Sequence, residues 1–209
     1  YLGEVLCADT EVKKIIDFIK KNFPKTIFVI VSDHGEEFWE HDGVGHGTTL
    51  YEEQVRVPVI IHGWKISPKR IDKPVSTAGL ANTILKLLNL PIPPQFEEPD
   101  MLTLSEEENV SSYMITWGPW KELNIEYKGL IKPPWKLIED VKKGEIELYN
   151  LDEDSKETID VSKTNQSVFE SLLREMNYYK TKGESTVPNT IELPSDIKNQ
   201  LESLGYLGN

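Results

Sequence analysis

At 209 residues, with 38% hydrophobic and 28% charged residues, the chain is long enough for one domain, or a large part of one, around a buried core. Its 23 basic and 35 acidic residues leave a formal net charge of −12. That excludes a basic surface for nucleic acid or for an anionic membrane. No apolar run of about 18 residues is present to span a membrane. The lone cysteine, Cys7, excludes an intrachain disulfide and leaves the redox compartment open. Because the chain opens on Tyr1, without an initiator Met or a signal-peptide pattern, it reads as a piece of a longer one.

Residues 11–23 are expected to form an amphipathic helix. Val12, Ile15, Ile16 and Ile19 recur at helical spacing, Asp9 or Thr10 is placed to cap the start, and Pro24 stops it. The β-branched run 26–31 follows, and Pro58-Val59-Ile60-Ile61 repeats its character; both suit strands buried on both faces. Leu80 to Leu90 reads as a second amphipathic helix. Helix, strand, loop, strand, helix is the order of a layered α/β domain.

Residues 91–99 hold four prolines and read as a connector. Short segments at 112–117, 125–130, 135–138 and 146–151, separated by turn signals, predict an antiparallel meander. A helix over 167–180 would cover it through Val168, Leu172, Leu173 and Met176. A last helix is expected from Ser195 or Asp196 to Leu204, ended by Gly205. The chain is thus expected to divide into residues 1–100, an α/β part, and 101–209, a smaller sheet with helices.

Three of the four histidines fall within Val31-Ser32-Asp33-His34-Gly35-Glu36-Glu37-Phe38-Trp39-Glu40-His41-Asp42-Gly43-Val44-Gly45-His46-Gly47. Neighbouring side chains on a strand point to opposite faces, so Asp33 and His34 converge only if the strand ends there. Gly35 is expected to turn the backbone and release both into a loop. Ligands gather at such carboxyl ends of strands in α/β sheets. An oxygen beside an imidazole nitrogen suits zinc or manganese, and calcium suits His34 less well. Taken alone, though, an Asp at a strand end also caps loops, and a loop His is also simply solvated.

Val31 to Pro58 resembles the sulfatase signature of the alkaline phosphatase superfamily: a strand, Ser32-Asp33-His34-Gly35-Glu36, the turn Gly45-His46-Gly47-Thr48-Thr49, then Tyr51-Glu52-Glu53 and Val55-Arg56-Val57-Pro58. Tyr1 to Asp9, the hairpin Glu147-Leu148-Tyr149-Asn150-Leu151-Asp152 and the tail Leu204-Gly205-Tyr206 resemble further parts of that family. The resemblance implies a partial alkaline-phosphatase-like α/β domain with a small C-terminal antiparallel sheet and a helix against it. It also implies a metal-dependent sulfuric ester hydrolase that binds a divalent metal ion, whether Ca, Mg, Mn or Zn.

By the same resemblance, Asp33 and His34 are metal ligands. His46 stands where many sulfatases carry a Lys that contacts the ester, so it would bind anionic oxygens or protonate the leaving group. His41 is expected to stabilise its loop, Glu53 and Arg56 to be structural, and His62 to be an ordinary core or surface histidine. Trp117, Trp120 and Trp135 are candidates to stack on a sugar, or more simply to fill the small sheet's core.

The family's nucleophile motif is not in the chain. Cys7 precedes Ala8-Asp9-Thr10-Glu11 rather than that motif, and is expected to be a small buried hydrophobe. The partners implied are a small-molecule or glycan sulfate or phosphate ester and the N-terminal remainder of the same protein. Alternatives are a phosphodiesterase, phosphonate hydrolase or phosphoglycol transferase of the superfamily, or a non-catalytic module.

Overall fold

The computed structural model describes residues 1–94, 96, 98–103, 111–117, 124–186 and 195, with the backbone alone at 117 and 183–186. In chain order the elements are α1 (Leu2–Asn22), β1 (Ile27–Val31), β2 (Glu37–Phe38), β3 (Val44–Gly45), α2 (Glu52–Val55), β4 (Val59–Gly63), a 3-10 turn (Thr77–Gly79), α3 (Leu80–Leu87), β5 (Ser112–Trp117), β6 (Glu126–Lys132), β7 (Trp135–Asp140), β8 (Glu145–Asn150) and α4 (Gln166–Thr186). They fall into two units, Tyr1–His34 with Arg56–Ile71, and Gly35–Val55 with Asp72–Asn209.

The first unit holds α1, β1 and β4. The helix begins at Leu2, well before the expected start at Glu11. Leu2, Val5 and Leu6 continue the helical stripe of Val12, Ile16 and Ile19 backwards, so no break falls at Asp9 or Thr10. Thr10 lies inside the helix, its hydroxyl donating to the Leu6 carbonyl at 2.7 Å, instead of capping an end. Strands β1 and β4 pair antiparallel, from Ile27 opposite Gly63 to Val31 opposite Val59. Gly63, at φ +133°, is required there, because a Cβ would lie 2.3 Å from the Thr26 carbonyl oxygen.

Burial on both faces is not what these strands show. Ile30, Val31 and Ile60 are exposed, the last by 53%, and no residue of α1 is buried. An apolar run specifies a strand, but burying both of its faces takes further layers. Among the described residues this sheet has two strands only.

In the second unit β5 to β8 form the expected antiparallel meander, in the order β5-β6-β7-β8. Period-2 alternation sorts its side chains onto two faces. Leu130, Leu137 and Leu148 bury against Leu172 and Met176 of α4. Ile138 and Tyr149 bury on the other side with Leu50, joined by Tyr51 and Val55. The sheet is therefore covered on both faces, by α4 and by the segment around α2.

Trp135 packs half-buried against the α4 core, the simpler of the two roles expected for it. Thr83 of α3 holds the proline-rich connector. Its hydroxyl donates to the Gly79 carbonyl at 2.8 Å and accepts from the Met101 N–H at 2.9 Å. The expected last helix lies outside the described residues except for Ser195, which is helical; Trp120 also lies outside them. No helix among the described residues is long and apolar enough to cross a membrane.

Candidate functional site

Asp33 and His34 follow the last residue of β1, where the ladder with β4 has ended. Both side chains are exposed, Asp33 by 74% and His34 by 40%. Asp33 Oδ1 accepts the His34 backbone N–H at 3.0 Å and lies 3.7 Å from His34 Nε2. Two donors on one ion at about 2.1 Å each are separated by roughly 3–3.5 Å, so this pair is close to the spacing that shared ligation needs. Two donors alone do not complete a metal shell. Among the described residues no group of three His, Cys, Asp or Glu gathers to hold a metal.

Gly35 also serves a close contact. Its N–H donates to the Gln54 carbonyl at 2.8 Å, and a Cβ at this position would lie 2.0 Å from the Glu53 carbonyl oxygen. The glycine permits a close approach of two backbones. Within the loop it begins, the residues 37–38 and 44–45 pair as a two-rung hairpin that the sequence did not announce.

That hairpin is built around a buried carboxylate. Glu37 is fully buried and accepts the His41 N–H at 3.1 Å and the Gly43 N–H at 2.7 Å through Oε1, and the Gln54 amide at 2.7 Å through Oε2. Gln54 in turn accepts the N–H groups of Thr48 and Thr49 at 3.1 and 3.3 Å. A buried charge tolerates such a place only with its lone pairs met by donors, as they are here. Gly43 leaves room for it, since a Cβ would sit 2.7 Å from Oε1. Thr48 and Thr49 thus serve the loop's own hydrogen bonds.

His41 stabilises this loop, and its geometry says how. Nδ1 faces Glu53 Oε1 at 2.5 Å, Nε2 faces the Glu157 carbonyl at 3.2 Å, and the ring stacks on Tyr51 at 3.6 Å between centroids. Both partners are acceptors only, so both ring nitrogens must donate, which makes the ring an imidazolium. Burial works against that charge, but the Glu53 carboxylate and the Glu157 carbonyl outweigh it and raise the His41 pKa. Tyr51 donates to Glu147 Oε2 at 3.0 Å, and burial together with that carboxylate pushes its hydroxyl pKa up.

A buried ion cluster ties α2 to the meander. Lys136 of β7 is fully buried, with Nζ 2.7 Å from Glu157 Oε1 and 3.0 Å from Glu52 Oε1. Glu157 Oε2 accepts the Glu52 N–H at 2.6 Å, at the first residue of α2. Burial raises the Glu157 pKa, and the lysine opposes that rise. These partners stand 84 and 105 positions apart, too far for any local pattern to pair them.

His46 belongs to the same unit and is about half exposed. Its Nδ1 lies 3.3 and 3.4 Å from the two Glu36 carboxylate oxygens. The backbone on each side is left-handed, at φ +99° for Gly45 and +74° for Gly47, and the Gly47 carbonyl accepts the Thr116 hydroxyl of β5 at 2.9 Å. His62, beside Phe28, and Arg56 are exposed. Cys7 is exposed too, against the expectation of a buried thiol, because α1 turns no face into a core.

Residues 1–90 match the family model for sulfatases. Over 136 residues the chain is 24% identical to the uncharacterised sulfatase YidJ of Escherichia coli (strain K12), a match that takes in 65% of this chain and 27% of YidJ. BT4656, solved in complex with its substrate D-glucosamine-2-N,6-O-disulfate, superposes with a TM-score of 0.70 at 21% identity, over 90% of this chain and 41% of that one. The phosphonate monoester hydrolase SpPMH of Silicibacter pomeroyi superposes with a TM-score of 0.66 at 18% identity, over 83% of this chain and 38% of that one. At these identities the superpositions establish the shared fold. The chain spans about two fifths of those solved structures and about a quarter of YidJ.

Proposed function

We propose that the chain is the C-terminal portion of a metal-dependent hydrolase of sulfuric esters. The observation that carries this reading is the adjacent, exposed pair Asp33 and His34 at the end of β1, with donor atoms 3.7 Å apart, in a segment that matches the sulfatase family. Asp33 supplies a carboxylate oxygen and His34 an imidazole nitrogen to one divalent ion. When bound, the ion supplies positive charge for the ester's oxygens, which a chain of net charge −12 otherwise provides sparsely. His46 binds the anionic oxygens or gives a proton to the leaving oxygen, a task for which imidazole is suited near neutral pH.

The nucleophile comes from outside residues 1–209. Cys7 lacks the family's surrounding motif, Thr48 Oγ1 accepts the Gln54 side-chain amide at 3.1 Å, and Thr49 Oγ1 is buried. By itself the chain is therefore expected to turn over no ester. Sulfated glycans are the favoured substrate class, given the disulfated glucosamine bound by BT4656. The likeness to SpPMH supports a second reading, in which the ester is a phosphonate and the fold and metal pair are kept.

The test is metal content by plasma mass spectrometry on the complete protein, alongside hydrolysis of nitrophenyl sulfate and nitrophenyl phosphonate. Asp33→Ala and His34→Ala should each lower bound metal and hydrolysis together. Full metal occupancy in both variants would sink the ligand assignment, and a faster phosphonate reaction would favour the second reading.

A further inference from the structure

The β2–β3 hairpin sets more than its own two rungs. Its register pairs Phe38 with Val44 and Glu37 with Gly45, so the next cross-strand position outward is occupied by Glu36 and His46. Side chains at such a position lie within reach of each other. Here both carboxylate oxygens of Glu36 stand at nearly equal distance, 3.3 and 3.4 Å, from one nitrogen, His46 Nδ1. Between them Gly45 takes a left-handed φ of +99°, a backbone conformation that favours glycine. The hairpin beneath is pinned by the buried Glu37 and Gln54, and the far side of the turn by Thr116 on the Gly47 carbonyl.

We infer that Glu36 is a positioning residue for His46: it holds a proton on Nδ1, so that Nε2 is the nitrogen presented to the ester. The inference rests on the role proposed above for His46. An ionised carboxylate only accepts, so the nitrogen facing it must carry hydrogen in both the neutral and the charged ring. Free imidazole side chains in water favour the other tautomer, and a carboxylate on Nδ1 reverses that preference. In the charged ring, Nε2 carries the second proton. When that proton passes to the leaving oxygen, the neutral ring left behind is the Nδ1–H form that Glu36 already holds, and no tautomer change is needed before the next cycle. Glu36 itself is only partly exposed.

Nitrogen NMR of the complete protein labelled with 15N-histidine reads the tautomer directly, at a pH high enough for His46 to be neutral. The unsubstituted protein should show His46 protonated on Nδ1, whereas protonation on Nε2 would overturn the inference without any variant. Glu36→Ala should return His46 to the Nε2–H form and lower kcat about tenfold, with KM little changed, a fraction of what a general acid contributes. Glu36→Gln keeps an acceptor oxygen and should restore both the tautomer and most of kcat.

An unchanged tautomer in Glu36→Ala, or a changed tautomer with an unchanged kcat, would each overturn the positioning role. His46→Ala separates this from the reading it rests on. Undiminished hydrolysis in that variant removes His46 from the chemistry, whereas the tautomer measurement still decides whether Glu36 holds the ring.

Discussion

The two units of the chain use apolar residues in opposite ways. In the second, every leucine at the centre of the meander has a covering layer, and the polar groups beneath α2 are closed into hydrogen-bonded and ionic clusters. In the first, a helix of 21 residues and two apolar strands present their hydrophobic side chains outward, with Phe18 exposed by 64%. The local patterns are equally clear in both. What differs is the number of layers within residues 1–209, so the kind of stripe that is covered in one unit lies uncovered in the other. Stability should accordingly reside in the second unit, and substitutions should cost according to the unit they fall in.

The largest effect is expected at Lys136. Lys136→Met leaves Glu157 buried without its cation, which costs about 3–5 kcal/mol. The urea midpoint should fall steeply, and a midpoint within error of the unsubstituted chain would refute the clustered-charge account. Close behind comes Leu148→Ala. It opens a cavity between the sheet and α4 at a fully buried site and should cost about 2–4 kcal/mol by the same measurement.

His41→Ala is expected to cost about 1.5–3 kcal/mol, the worth of hydrogen bonds to a charged group at a mostly buried site. The pH dependence of that contribution has a definite sign. The folded His41 pKa is raised, so its stabilisation is present in full below the unfolded value of about 6.5. It is lost as pH rises through the higher folded value. The protection of the His41 and Gly43 amides, their exchange relative to the intrinsic base-catalysed rate at each pH, should therefore fall on the alkaline side, and a fall on the acidic side instead would contradict the imidazolium.

The smallest effect is expected on α1. Phe18→Ser should change stability by less than about 0.5 kcal/mol, since the ring is exposed. A loss as large as that of Leu148→Ala would erase the contrast between the units.

Much of this was legible in the sequence because it is local. Turn residues bracketed the four meander strands to within two residues at most of their ends, and the apolar spacing of Val168, Leu172, Leu173 and Met176 announced the face that α4 buries. The position of Asp33 and His34 just beyond β1 was legible for the same reason, since the apolar run that ends before them is a contiguous signal. The Glu37–Gln54 and Lys136–Glu157–Glu52 clusters were not. Each joins polar residues whose types are ordinary on a surface, and only the fold shows them to be buried. The start of α1 was misplaced because Asp9 and Thr10 are capping types, while the stripe running through them is the stronger signal. The exposure of Ile30 and Ile60 was equally out of reach, since hydropathy records a preference for burial and not the presence of a cover.

His41 carries a chemical consequence of its own. With both nitrogens committed as donors, its ring has no lone pair, and so it is neither a nucleophile nor a base toward a reagent. Diethyl pyrocarbonate, which acylates neutral imidazole, should therefore react with it more slowly than with a free imidazole at the same pH. Acylation of His41 as fast as that of a free imidazole would show instead that its ring keeps a lone pair.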